Sequence, residues 1–292
     1  MSLYFCEKQM VDSCTLDEKG AFKFELNNIS APCFFDLGSK DLVFAKQYFI
    51  QDGDEINLDF IGSEMPIALK SYEKIGTYNK FLQTFNDTFY REPNVKRTYF
   101  VISNFMLAPD YALYINNRKN EQVKFFENYF KDQNIDTTFQ YFFEKETNFN
   151  WANDKVYFLW KKRTRMEEVP IDTNYFDFLK DINTDDPKAL ICPAYIRFVD
   201  LYLKELYQEE IFTLPKGTPQ SLEKCRLAKK YLKGMGQKIA FYNILRDELH
   251  SLDANFAANK EKQNAYIEEL LSIASDNGKE QCYQKFVSNY RH

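Results

Sequence analysis

The sequence predicts an α+β protein, with a small N-terminal antiparallel β-sandwich over residues 1–62 and a larger all-helical domain over residues 63–292. Two patterns support this division. Up to Phe60, apolar and polar residues alternate in short runs separated by turn residues, which is the period of a half-buried strand. From Pro66 onward, apolar residues recur every three or four positions, which is the period of an amphipathic helix.

The β part begins with a run from Tyr4 to Met10, which a turn at Asp17-Glu18-Lys19-Gly20 follows. Phe22, Phe24 and Leu26 then alternate with Lys23 and Glu25. Residues Pro32 to Leu37 and Leu42 to Ile50 give two further strands. Asp52-Gly53-Asp54 is a tight turn, and Ile56, Leu58 and Phe60 alternate with Asn57 and Asp59 behind it. Turns at this spacing suit a small sandwich. The acidic residues at 52, 54 and 55 lack the rest of a calcium loop, so they are read as a hairpin turn.

In the helical part, Ile67, Ile75, Tyr78, Leu82, Phe85 and Phe89 mark the first periodic stretch, and Glu121 to Tyr141 and Trp151 to Trp160 continue it. Asp186-Pro187 reads as a helix start, with Asp as N-cap and Pro in the first turn. The helix behind it turns Leu190, Tyr195, Phe198, Tyr202 and Leu206 towards a core. Thr218-Pro219 starts another helix, and Gly234 and Gly236 mark a break after Leu232-Lys233. Two last helices are expected near Ala265 to Ala274 and Glu280 to Tyr290, separated by Asn277-Gly278.

Composition narrows the function classes. Hydrophobic residues make up 45% and charged residues 28%, which places the chain among globular proteins. Aromatic residues reach 17%, with 28 Phe and 20 Tyr, so the core is built from rings, and some of the amphipathic Tyr surplus is expected in grooves or interfaces. The net charge of −5 argues against nucleic acid as partner. The dense basic run Lys161-Lys162-Arg163-Thr164-Arg165 is read as a solvated helix end whose cations favour the C-terminal dipole. No segment approaches the length of a membrane helix. Met1-Ser2-Leu3 is read as an addition standing in place of a removed leader.

No catalytic, cofactor-binding or metal-ligating residue is assigned. The histidines are His250 and the terminal His292, and His250 sits in a charged context that reads as a helix end. The six cysteines form no Cys-x-x-Cys pair, so they read as scattered small core residues, with a Cys14–Cys33 bridge left open. Gly234-Met235-Gly236 follows a helix, not a strand, and so is no phosphate cradle. The carboxylate pairs Asp185-Asp186, Glu209-Glu210 and Glu268-Glu269 are read as caps or solvated faces. Trp151, Tyr157 and Trp160 stand at helical spacing and are read as core.

One resemblance adds to this. The pattern Asp17-x-x-Gly20-x-Phe22-x-Phe24, then Gly53-Asp54-x-Ile56-x-Leu58, then Tyr175-Phe176-x-Phe178-Leu179, Asp186-Pro187-x-Ala189-Leu190 and Tyr195-x-x-Phe198 resembles the N-terminal region of secreted thioredoxin-like thiol-disulfide oxidoreductases of Bacteroidetes-type bacteria. Asp52 stands where that family often has Pro, and the chain stops about where the redox domain is expected to begin, so no redox residue is assigned. The resemblance implies a non-catalytic region of an envelope or periplasmic protein that binds a protein or peptide partner. The rival expectations are a free-standing envelope scaffold that grips a peptide or protein, and a hydrolase built on two carboxylates.

Overall fold

The structure is a computed structural model. It describes residues 17–18, 32–38, 43–54, 56–59, 68–71, 74–91, 106–167, 171, 174–211, 213–215, 219–255 and 260–274. The expected strands at Tyr4 to Met10 and Phe22 to Leu26, and the expected helix from Glu280 to Tyr290, lie outside these residues. The chain divides into two compact units, one of Met1–Asn104 with Asn120–Phe143, the other of Phe105–Lys119 with Glu144–His292.

In the first unit, strands β1 (Cys33–Gly38) and β2 (Val43–Ile50) pair antiparallel, with Phe34 opposite Phe49 and a bulge after Phe35. Strands β3 (Ile56–Asp59) and β4 (Ala68–Ser71) make a second antiparallel pair. Helix α1 (Lys74–Asn86) packs against β2 and β4 and runs into a π turn at Asp87–Arg91. This unit also takes residues 120–129 of helix α2 (Ala108–Tyr129) and residues 137–143 of helix α3 (Thr137–Thr164).

The predicted β-sandwich is not formed, and the protein is mainly helical. Among the described residues the strands make only two two-stranded pieces. Asn79 of α1 shows the physical reason. Its side-chain amide accepts the Phe49 N–H at 2.8 Å and donates to the Phe49 carbonyl at 2.9 Å. A helix side chain therefore satisfies the outer edge of β2, where a sandwich would place a third strand. The alternating apolar face packs on helices: the Phe49 ring lies 5.3 Å from Phe139 and 6.3 Å from Tyr78. The Asp52-Gly53 turn is present, with Gly53 at φ 82° and the Gln51 N–H donating to Asp54 Oδ2 at 2.6 Å. It does not close a hairpin, because β2 and β3 belong to different strand pairs.

The core of this unit is a stack of rings. Phe81, fully buried, has Phe85, Phe126, Phe130 and Phe143 within 5.6 Å, centroid to centroid. Tyr78 stacks on Phe139, and Phe126 on Phe143, each at 4.1 Å. Tyr78 keeps its hydroxyl satisfied by accepting the Asp136 N–H at 2.7 Å.

The second unit takes residues 108–119 of α2 and 144–164 of α3. It continues through 3-10 helices at Tyr175–Asp181 and Pro187–Ile191 to α4 (Pro193–Glu210), α5 (Gln220–Tyr231), α6 (Gly234–Asn255) and α7 (Lys260–Ala274). Helices α4 to α6 pack on one another, and α7 on α5 and α6. Asp186 caps its short helix as expected, its Oδ1 accepting the Lys188 N–H at 3.2 Å. That helix stops after one turn and a half, because Pro193 holds Cys192 extended at ψ 107° and α4 begins there. Tyr195, Phe198 and Leu206 are buried as expected, while Leu190 and Tyr202 are half-buried and Ala189 takes the inner position. Among the described residues no helix is long and apolar enough to cross a membrane.

Candidate anion-binding site

The second unit gathers two lysines over one tryptophan. Asn116 and Lys119 stand three residues apart on α2, and Trp151 and Lys155 four apart on α3, so each pair shares a helix face. The 3-10 helix Tyr175–Asp181 adds Phe178. The Trp151 indole N–H donates to Asn116 Oδ1 at 2.7 Å, which fixes the ring plane. Lys119 Nζ lies 4.1 Å and Lys155 Nζ 4.4 Å from the indole centroid. Lys155 Nζ is also 5.0 Å from the Phe178 ring, which meets Trp151 edge-on at 5.5 Å. The Tyr175 hydroxyl donates to the Lys155 carbonyl at 3.1 Å and ties the short helix to α3. Beside the site, Arg118 and Asp154 pair at 3.6 Å across α2 and α3.

The charges here are unbalanced. Lys155 is 7% exposed, yet among the described residues neither Lys155 nor Lys119 forms an ion pair or a hydrogen bond through its ammonium. Burial pushes the Lys155 ammonium below the usual lysine range, and repulsion from Lys119 pushes it further. Burial lowers Lys119 as well, with Asp181 acting in the opposite direction. A cation over an indole gains about 0.5–2 kcal/mol, which does not replace a counter-ion for two like charges held near one ring. An anion placed against both ammoniums would gain two charge-assisted contacts and relieve the repulsion.

Other polar clusters have structural work. Glu146 Oε2 accepts the Ala194 N–H at 2.9 Å in the first turn of α4, so its carboxylate meets the positive end of that helix. Burial nonetheless raises its pKa. Ser221, Glu248 and Tyr266 join α5, α6 and α7 through contacts of 2.5 and 2.7 Å at the Ser221 hydroxyl. Glu205 on α4 is 1% exposed, with Arg163 Nε 3.1 Å from Oε1 but no aligned hydrogen bond to either oxygen.

The residues weighed in the sequence fall elsewhere. The basic run is the end of α3, but it is not simply solvated: Lys162 pairs with Glu167 at 2.6 Å, and Arg163 reaches inward to Glu205. Of the acidic pairs, Asp185 accepts the Met235 N–H at 3.0 Å, Glu209 faces Arg163 at 3.7 Å and Glu210 faces Lys230 at 3.4 Å. Glu268 and Glu269 are exposed on α7. His250 falls within α6. Cys192 and Cys225 are buried, and burial raises the pKa of both thiols, Cys225 to about 12. Cys6, Cys14 and Cys282 lie outside the described residues, as does His292. Among the described residues no group of three or more His, Cys, Asp or Glu is placed to hold a metal ion. Trp151, read as core, is half-buried and serves as the site's floor. The helical spacing that hid it is the same for a core ring and for a platform.

No protein-family model, no curated protein sequence and no solved structure matches this chain.

Proposed function

We propose that the chain is a non-catalytic helical binding module that takes an anionic group of its partner at Lys119, Trp151 and Lys155. The observation that carries this is the pair of ammoniums within 4.4 Å of one indole centroid, with no ion pair to either among the described residues. The expected protein or peptide partner thereby acquires a chemistry: an acidic side chain or a C-terminal carboxylate. The thioredoxin-like reading loses its sandwich. Its helical motif residues Tyr175, Phe178, Ala189, Tyr195 and Phe198 are all buried in the second unit, a packing role that needs no redox partner.

The chain has two tryptophans, so Trp160→Phe leaves Trp151 as the reporter. Titration with phosphate, with acetate and with a Glu-rich peptide is expected to change Trp151 emission saturably. Lys119→Gln is expected to weaken the response roughly tenfold, the value of one charge-assisted contact. A flat titration, or one that Lys119→Gln leaves unchanged, overturns the proposal.

A further inference from the structure

We infer that the Lys155 amine forms a reversible imine with the carbonyl carbon of a small α-oxo acid whose carboxylate rests against Lys119. The inference depends on the anion site above and gives that site a second, small-molecule ligand.

Lys155 lies on the inner side of the cluster, 7% exposed, between the faces of Trp151 and Phe178. An ammonium there is partly desolvated and has no carboxylate partner among the described residues, which shifts the balance towards the neutral amine relative to an exposed lysine. The charged groups around it deepen that preference. Lys119 on α2 repels a second positive charge, Asp181 acts on Lys119, and the adjacent Arg118 and Asp154 pair with each other. Tyr175 spends its hydroxyl proton on the Lys155 carbonyl oxygen and offers the amine no charge. A desolvated lysine beside a second cation is an activated nucleophile.

Lys119 is half-buried, with Asp181 helping to keep it protonated, and so provides the charge that receives a carboxylate. An α-oxo acid carries its carbonyl directly next to its carboxylate, so one small molecule engages both lysines. The nitrogen lone pair attacks the carbonyl carbon, and one of the two amine protons passes from nitrogen to the carbonyl oxygen to give a carbinolamine. The carbinolamine then loses its hydroxyl, and the nitrogen its remaining proton, as one molecule of water while the C=N bond forms. Nothing is oxidised or reduced, and hydrolysis returns the free amine. The apolar walls of Trp151 and Phe178 limit the water that would drive that reversal.

The test is to incubate the full chain with pyruvate and sodium cyanoborohydride at neutral pH, then map the reduced adducts by peptide mass spectrometry. Lys155 is expected to label roughly tenfold faster than exposed lysines such as Lys188 and Lys233. Lys119→Gln is expected to slow labelling by pyruvate several-fold more than labelling by uncharged acetaldehyde, because it removes the partner of the carboxylate as well as the charge that activates Lys155. Lactate, which has the carboxylate and no reactive carbonyl, is expected to compete. Labelling spread evenly over surface lysines, while phosphate still perturbs Trp151, overturns the imine and leaves anion binding standing. Even labelling with no Trp151 response overturns both.

Discussion

At the scale of single residues, the decisive groups are those whose charge is out of balance with their burial. Glu205 is the clearest. Burial raises its carboxyl pKa to about 7, Arg163 lowers it in part, and Glu209 raises it again. The folded state therefore holds a proton that the unfolded state, near the ordinary value, gives up. Stability is highest below the unfolded pKa and falls as pH rises towards 7, because the folded protein binds the extra proton through that window. Glu205→Gln keeps the shape and removes the titration. It is expected to flatten this slope and to raise stability at pH 8 by about 2 kcal/mol, measured by denaturant titration at pH 5 and pH 8. An unchanged slope would show that Glu205 is ionised in place by Arg163. None of this was legible in the sequence. Glu205 reads there as one more acid on a charged helix, because the residue that buries beside it, Arg163, comes from another helix 42 positions earlier.

At the scale of elements, starts and stops were read where a side chain or ring announces them. Asp186-Pro187 is such a case. The second break, at Cys192, was missed although Pro193 announces it by the same rule. The strands near Pro32, Leu42 and Ile56 were visible in the alternation, but their partners were not, since Asn79 competes for the edge of β2 from a helix 30 residues away. The start of α6 combines both lessons. Gly234 sits at φ 50°, and an added Cβ would lie 1.6 Å from Asp185 Oδ1, the atom that accepts the Met235 N–H. Gly234→Ala must therefore both strain the backbone and displace the carboxylate that caps α6. It is expected to cost about 1–3 kcal/mol, read from the denaturation midpoint. Gly53→Ala meets no atom within 4 Å and carries the backbone penalty alone, so it is the milder control.

At the scale of the whole molecule, the aromatic surplus was expected in part to line grooves. Among the described residues of the first unit, rings go into packing, with Phe81 at the centre and Phe49 brought in from the strands. That makes the sequence boundary at residue 62 a physical question. If the β residues form a domain of their own, a fragment of residues 63–292 loses nothing that its helices need. In the folded chain, however, α1 spends Asn79 on the Phe49 backbone and packs Tyr78 near its ring. Removing residues 1–62 leaves a buried amide without its two partners and a void where a fully buried Phe stood, losses of about 3–5 kcal/mol for the ring alone. The fragment 63–292 is therefore expected to lose hydrogen-exchange protection across Lys74–Asn86, while α4 to α6, whose contacts lie in the second unit, keep theirs. Residues 1–62 alone are expected to show no cooperative unfolding, because the β1–β2 pair described within them packs Phe49 on helices that lie beyond residue 62, and a strand pair without a covering face is not independently stable. Full protection of α1 in the fragment, or a sharp melt of residues 1–62, would restore the boundary at 62 as a true domain limit.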